Sequence, residues 1–157
     1  EVRTLSIPEL FGSKIKALIE RTAPRDLYDI HNMLKYRVIS PRDMDMLRKI
    51  VLFYLAIGGK DKPSANYTFG RIDDLKLPKI KRSLIPVLKK SEPFDFESAK
   101  VEVKDFLMDL MIFSKNEKSF IEHFNQNSYR PELLFEDDTI IQRIKNHPMA
   151  VWKTREH

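Results

Sequence analysis

Cysteine is missing from all 157 residues. That excludes disulfides and thiolate-held metal centres. It also fits a reducing compartment, so a cytoplasmic location is expected. Glycine is scarce, with four residues against nine prolines, and no Gly-rich phosphate loop can be built from them. No apolar run approaches the ~18 residues that a membrane-spanning helix needs. The longest, Ile50 to Ile57, has the length of a buried helix segment. His31, His123, His147 and His157 show neither an HxxxH nor an HExxH spacing, which argues against a zinc site. A Ser/His/Asp signature is absent as well. So is a signal-peptide pattern, and the first residue is Glu1 rather than Met, so the chain reads as a piece of something longer.

What remains is a normal globular composition, 42% apolar and 32% charged, enough for a real core. Its length suits one domain, and the patterning favours helices over sheet. The expected fold is mainly α: a single helical bundle over residues 1–157. A weak alternation from Val2 to Leu5 suggests the end of one short N-terminal strand entering the first helix. The net charge of +5 mildly favours an anionic partner such as a nucleotide or nucleic acid.

Punctuation residues divide the chain. Ser6-x-x-Glu9 is a capping box with Pro8 in the first turn, opening a helix to about Thr22. A second helix runs from about Arg25 to Tyr36. Ser40-Pro41-Arg42-Asp43 opens a third, to about Ile57, whose second half is apolar all round and reads as the central helix. Gly58-Gly59 ends it. A polar loop follows to Gly70, then short helices broken by Pro78 and Pro86. Asp95 caps a long helix to Phe113, with a heptad-like seam of Phe96, Ala99, Val103, Phe106, Leu110 and Phe113. Ser114-x-x-Glu117 caps the next, to about Asn127. Leu133-Leu134-Phe135 makes a docking segment, a last helix spans Asp138 to Asn146, and Met149, Val151 and Trp152 are expected to pack the tail down.

The first two helices hold the most informative residues. Lys14 and Arg21, seven apart, fall inside the apolar arc formed by Leu10, Phe11, Ile15, Leu18 and Ile19. Asp26 falls within the apolar arc of the second helix and Asp29 at its edge. Ionised groups face a core only when they pair or take part in chemistry. One reading is an interhelical salt bridge. The other is an anion pocket, with Lys14 as a point charge for phosphate and Arg25 in a first turn whose free N–H groups favour anions.

Gly12-Ser13 followed by Asp26 and Asp29 superficially echoes a Gly-Ser…Asp-x-Asp metal motif. That motif needs two carboxylates at i and i+2 on a strand, sharing one face. Here the spacing is i and i+3 on a helix, so the pair is a poor metal site. Asp73-Asp74 and Asp137-Asp138 read as helix-start acids. The lysines and arginine from Lys76 to Lys90 lack interleaved aromatics and read best as a solvated face.

The segment Glu9-Leu-Phe-x-x-Lys14-x-x-Ala17-Leu-x-x-Arg21-x-x-x-Arg25-Asp26-x-Tyr28-Asp29 resembles a conserved motif of the AbiEii/AbiGii-type nucleotidyltransferase toxins. The resemblance implies that residues 1–157 are the C-terminal helical lobe of a longer protein, with Val2 to Leu5 the short strand left from a truncated α/β nucleotidyltransferase core. It implies a bacterial toxin of a toxin–antitoxin or phage-defence system, with a cognate antitoxin as partner. It implies transfer of a nucleoside monophosphate from a nucleotide triphosphate with Mg²⁺, with tRNA ends an acceptor for some members. Carried over by position, Lys14, Arg21 and Arg25 would bind the nucleotide, and Asp26 and Asp29 would be catalytic. The strand-borne metal motif is missing from these residues, so no bound cofactor is expected here and the fragment is expected to be inactive alone. The competing expectation is a non-enzymatic helical module that grips RNA or an antitoxin.

Overall fold

The computed structural model describes residues 6–76 and 95–155, and its architecture is mainly α, with no strand among the described residues. The expected strand at Val2 to Leu5, the helices broken by Pro78 and Pro86, and all of the basic stretch except Lys76 lie outside the described residues.

Helix α1 (Ile7–Arg21) begins at the expected N-cap Ser6, with Glu9 turned to the Ser6 hydroxyl rather than to its backbone N–H. The Ser6 hydroxyl oxygen accepts the Glu9 N–H at 3.3 Å and the hydroxyl donates to the Glu9 carboxylate at 3.1 Å. Phe11, Ile15 and Leu18, one turn apart, are buried along one stripe. The helix stops at Thr22, whose φ of 47° places a β-branched residue in the left-handed region. Its N–H and its hydroxyl both donate to the Leu18 carbonyl, each at 2.9 Å, which holds this strained corner. Pro24 then starts helix α2 (Pro24–Lys35) at once, so the two helices form a tight hairpin.

Helix α3 (Met44–Gly58) follows a 3₁₀ turn at Pro41–Asp43 and is the central helix. Leu47, Val51, Leu52, Phe53, Leu55 and Ala56 are buried on more than one of its faces. Gly12 lets α1 lie close against it: a Cβ there would sit 2.8 Å from Cγ2 of Ile50. A polar segment leads to a single turn, α4 (Gly70–Asp73). Helix α5 (Phe96–Leu110) is capped by Asp95, which accepts the Ser98 N–H at 3.1 Å, and it buries Phe96, Ala99, Val103, Leu107 and Leu110; of the expected seam, Phe106 is half-buried against Phe11 and Phe113 is buried just beyond the helix end. It packs on α2 and α3.

Helix α6 (Lys115–Asn125) starts at the Ser114/Glu117 capping box. Glu117 is buried because it also receives Arg48 of α3 through two hydrogen bonds of 2.8 and 2.9 Å. The docking segment holds, with Leu134 and Phe135 buried after a 3₁₀ turn at Pro131–Leu133. Helix α7 (Asp138–Ile144) is capped by Asp137. Pro148 does more than end it: it opens a further helix, α8 (Pro148–Lys153), which packs on α3. Two readings need correction here. Ala150, not Met149, Val151 or Trp152, seats the tail, and those three are exposed. Asp73 and Asp74 close α4 rather than start a helix, and Asp73 pairs with Lys104 of α5.

Candidate functional site

The hairpin of α1 and α2 brings the sequence-picked residues together, but in a different pairing from a Lys14–Asp26 contact. Two helices turned back on each other meet first at the corner. Arg21, the last residue of α1, therefore takes Asp26, two residues into α2: Nε and Nη2 donate to its two oxygens at 2.8 and 2.7 Å. Farther along the hairpin, Lys14 donates to Asp29 at 3.0 Å. The row is a pair of parallel ion pairs.

Their surroundings differ. The Asp26 side chain is 1% exposed, and it also accepts the Ala23 N–H at 3.3 Å. That makes it the N3 acid of a capping box whose N-cap is an alanine, so the carboxylate alone serves the helix start. The N–H groups of Asp26 and Leu27 go to the Ala23 carbonyl. Those N–H groups of the first turn of α2 are thus satisfied, and the Asp26 carboxylate sets a negative charge at the helix start. Arg21, placed inward by the wheel, has a side chain 65% exposed and covers Asp26 from the solvent side. The Asp26 hydrogen bonds and charge push the Arg21 pKa up, holding the guanidinium charged.

The outer pair is more open. The Lys14 side chain is 40% exposed and that of Asp29 26%. One Lys14 N–H is engaged by Asp29, and an ammonium has three. Arg25 is exposed and has no ion pair among the described residues. Lys14 and Arg25 therefore present positive charge that a phosphate can reach without breaking the buried pair.

Sequence reasoning missed Arg71. From α4 its guanidinium donates to the carbonyls of Glu20, at 3.0 Å, and Arg21, at 3.4 Å, the last two of α1. This caps the helix end that aims Arg21 at Asp26. Fifty residues separate it from Arg21 at the end of α1, and no periodicity marks it. His31 meets Glu102 of α5 at 3.1 Å and ties α2 to that helix. Among the described residues no group of three or more His, Asp or Glu side chains is placed to share a metal ion. No helix among them is long and apolar enough to cross a membrane.

Comparison with known proteins adds one finding. Residues 1–127, from the chain start to just past the end of α6, match the family model of the nucleotidyl transferase AbiEii toxin of Type IV toxin–antitoxin systems. No curated protein and no solved structure matches the chain.

Proposed function

The chain belongs to the AbiEii family of nucleotidyl transferase toxins, and from that premise we propose that the α1–α2 hairpin is one half of the transferase's nucleotide site. The observation that carries the proposal is the Lys14 ammonium, set on a helix by Asp29 at 3.0 Å and still partly open. An ammonium is a compact point charge that suits a triphosphate. On binding, the triphosphate replaces Asp29 as a partner of Lys14, with Arg25 on the same hairpin adding long-range attraction. Asp29 is then the carboxylate with freedom to act near the reacting phosphate. Asp26 works through Arg21 as a positioning residue, because its oxygens are already taken.

Mg²⁺, when bound, neutralises the triphosphate and activates the attacking oxygen. The described residues do not fit it: no carboxylate cluster is present to hold the ion. The metal-holding half is proposed to lie in the remainder of a longer protein, and this chain alone to be inactive. An antitoxin follows from the family's description, and tRNA as acceptor is part of the proposal.

The test is label transfer from each nucleotide triphosphate to total tRNA by the full-length gene product with Mg²⁺, using wild type, Lys14→Ala and Asp29→Asn. Transfer by wild type, lost in both variants while their melting temperatures hold, supports the half-site. Absence of transfer with every nucleotide, or loss only alongside unfolding, leaves both ion pairs as struts of a non-enzymatic module that binds RNA or an antitoxin.

A further inference from the structure

A second cluster of charge lies just past the C-terminal end of the central helix α3, beside the end of α1 that Arg71 caps, and the Lys14–Asp29 chemistry does not use it. Two open pockets adjoin there, sharing Lys60, Asp61 and Lys62 as a common wall. One, of about 260 Å³, runs over Tyr67 and Arg71. The other, of about 190 Å³, runs over Trp152 and Lys153.

The cations are not consumed by acids. Lys60 and Lys62 are exposed and form no ion pair among the described residues. Lys153 donates to the Gly59 carbonyl at 2.6 Å, a neutral partner, and Arg71 likewise faces carbonyls. Two carboxylates face the same space. Glu20 is held by Lys16 at 3.0 Å, and Asp61 lies exposed between the two free lysines. Four lining cations, Lys60, Lys62, Arg71 and Lys153, against two carboxylates leave the groove positive.

Aromatic rings accompany the charge. Tyr67 lines one pocket, fixed by a hydrogen bond to its hydroxyl from the Ser64 N–H at 3.1 Å and by edge contact with Phe113. Trp152 lines the other and is 53% exposed. A compact anion calls for converging donors. Spread cations with a ring at either side suit a chain of phosphates carrying bases that stack. A duplex keeps its bases inside and offers nothing to the rings.

We propose that this groove binds a single-stranded polynucleotide, with Lys60, Lys62 and Lys153 along the phosphates and Trp152 stacking on a base. The proposal goes beyond the nucleotide reading of Lys14 and does not depend on it. Trp152 is the single tryptophan, so its emission reports occupancy of the groove directly.

The 157-residue chain is titrated with a single-stranded RNA of about ten nucleotides, within the length such grooves cover. The same RNA as a duplex, and a nucleoside triphosphate alone, serve as comparisons. The expected result is quenching by the single strand and weaker or no quenching by the duplex. The Lys60→Ala/Lys62→Ala double variant lowers affinity about tenfold or more and reduces the salt slope by roughly 1.4, about 0.7 per cation removed. With a labelled RNA followed by anisotropy, Trp152→Ala weakens binding about tenfold. Lys60 and Lys62 are exposed, so an unchanged melting temperature is expected for the double variant, and the melting temperature of Trp152→Ala is measured beside its affinity. Lys14→Ala retains RNA binding if the groove is separate from the hairpin. No quenching with no change in anisotropy overturns the proposal. So does affinity unchanged in the double variant, equal binding of duplex, or loss of binding in Lys14→Ala. A failed transferase assay leaves this outcome untouched, and the reverse also holds.

Discussion

Removing Asp26 separates what the hairpin's acids do for folding from what they do for chemistry. In Asp26→Ala the two Arg21 hydrogen bonds, at 2.8 and 2.7 Å, are lost, together with the acceptor for the Ala23 N–H. Hydrogen bonds to charged groups contribute ~1.5–3 kcal/mol when both partners are shielded. Here Arg21 is 65% exposed and regains water once its partner is gone. The Arg21 contribution is therefore closer to the ~0.2–1 kcal/mol of an exposed pair. Losing the helix-start acceptor adds ~0.5–2 kcal/mol, and losing the first-turn negative charge adds ~0.3–1 kcal/mol. The expected cost is about 2 kcal/mol, a fall in melting temperature of roughly 4–8 °C for a chain of this size. Asp29→Ala removes only the open pair with Lys14 and is expected to cost ~0–1 kcal/mol. Urea denaturation followed by far-UV circular dichroism measures both. Equal costs for the two variants, or a cost for Asp26→Ala under ~0.5 kcal/mol, would refute the assignment of Asp26 as the structural acid. If the assignment stands, loss of activity in Asp29→Asn is the cleaner evidence for a catalytic role.

Three further predictions test the frame around the hairpin. Arg48→Ala strands the Glu117 carboxylate, which is 1% exposed and keeps only the Ser114 N–H at 2.8 Å, so chemical denaturation should show a loss of ~3–5 kcal/mol. Gly12→Ala drives a methyl against Ile50 and should cost ~1–3 kcal/mol, with a corresponding drop in melting temperature. At alkaline pH the tyrosines govern stability. Burial, first among the causes, raises the folded pKa of Tyr54, Tyr67 and Tyr129 above the ordinary tyrosine value. The folded state therefore keeps phenolic protons that the unfolded chain releases above pH ~10, so stability is whole below that pH and falls as pH rises beyond it. Tyr129→Phe should flatten that fall in denaturation curves taken at successive pH values. At neutral pH it should cost ~1 kcal/mol for the bond that Tyr129 donates to the Ile144 carbonyl at 2.6 Å.

Local grammar was legible from the residues. The N-cap Ser6, the box Ser114/Glu117, the caps Asp95 and Asp137, and the apolar stripe of α1 all lie where side-chain chemistry and a period near 3.6 put them. These depend on residues within a turn of each other, so the sequence determined them by itself. The inward position of Asp26 was also legible, because a carboxylate within an apolar arc has to be paired. Which cation pairs with it was decided by the corner at Thr22. A two-residue connection brings Arg21, not Lys14, within reach, and leaves Lys14 to Asp29. The tail shows the same limit: three large apolar side chains outweigh Ala150 by composition, yet the small one fits against α3 and the large ones stay outside. Arg71 on the end of α1, and the groove joining Lys60 and Lys62 to Trp152, are products of packing between segments fifty and ninety residues apart. No local pattern encodes such meetings. They exist because the central helix buries its faces against its neighbours and so fixes which loops share its ends.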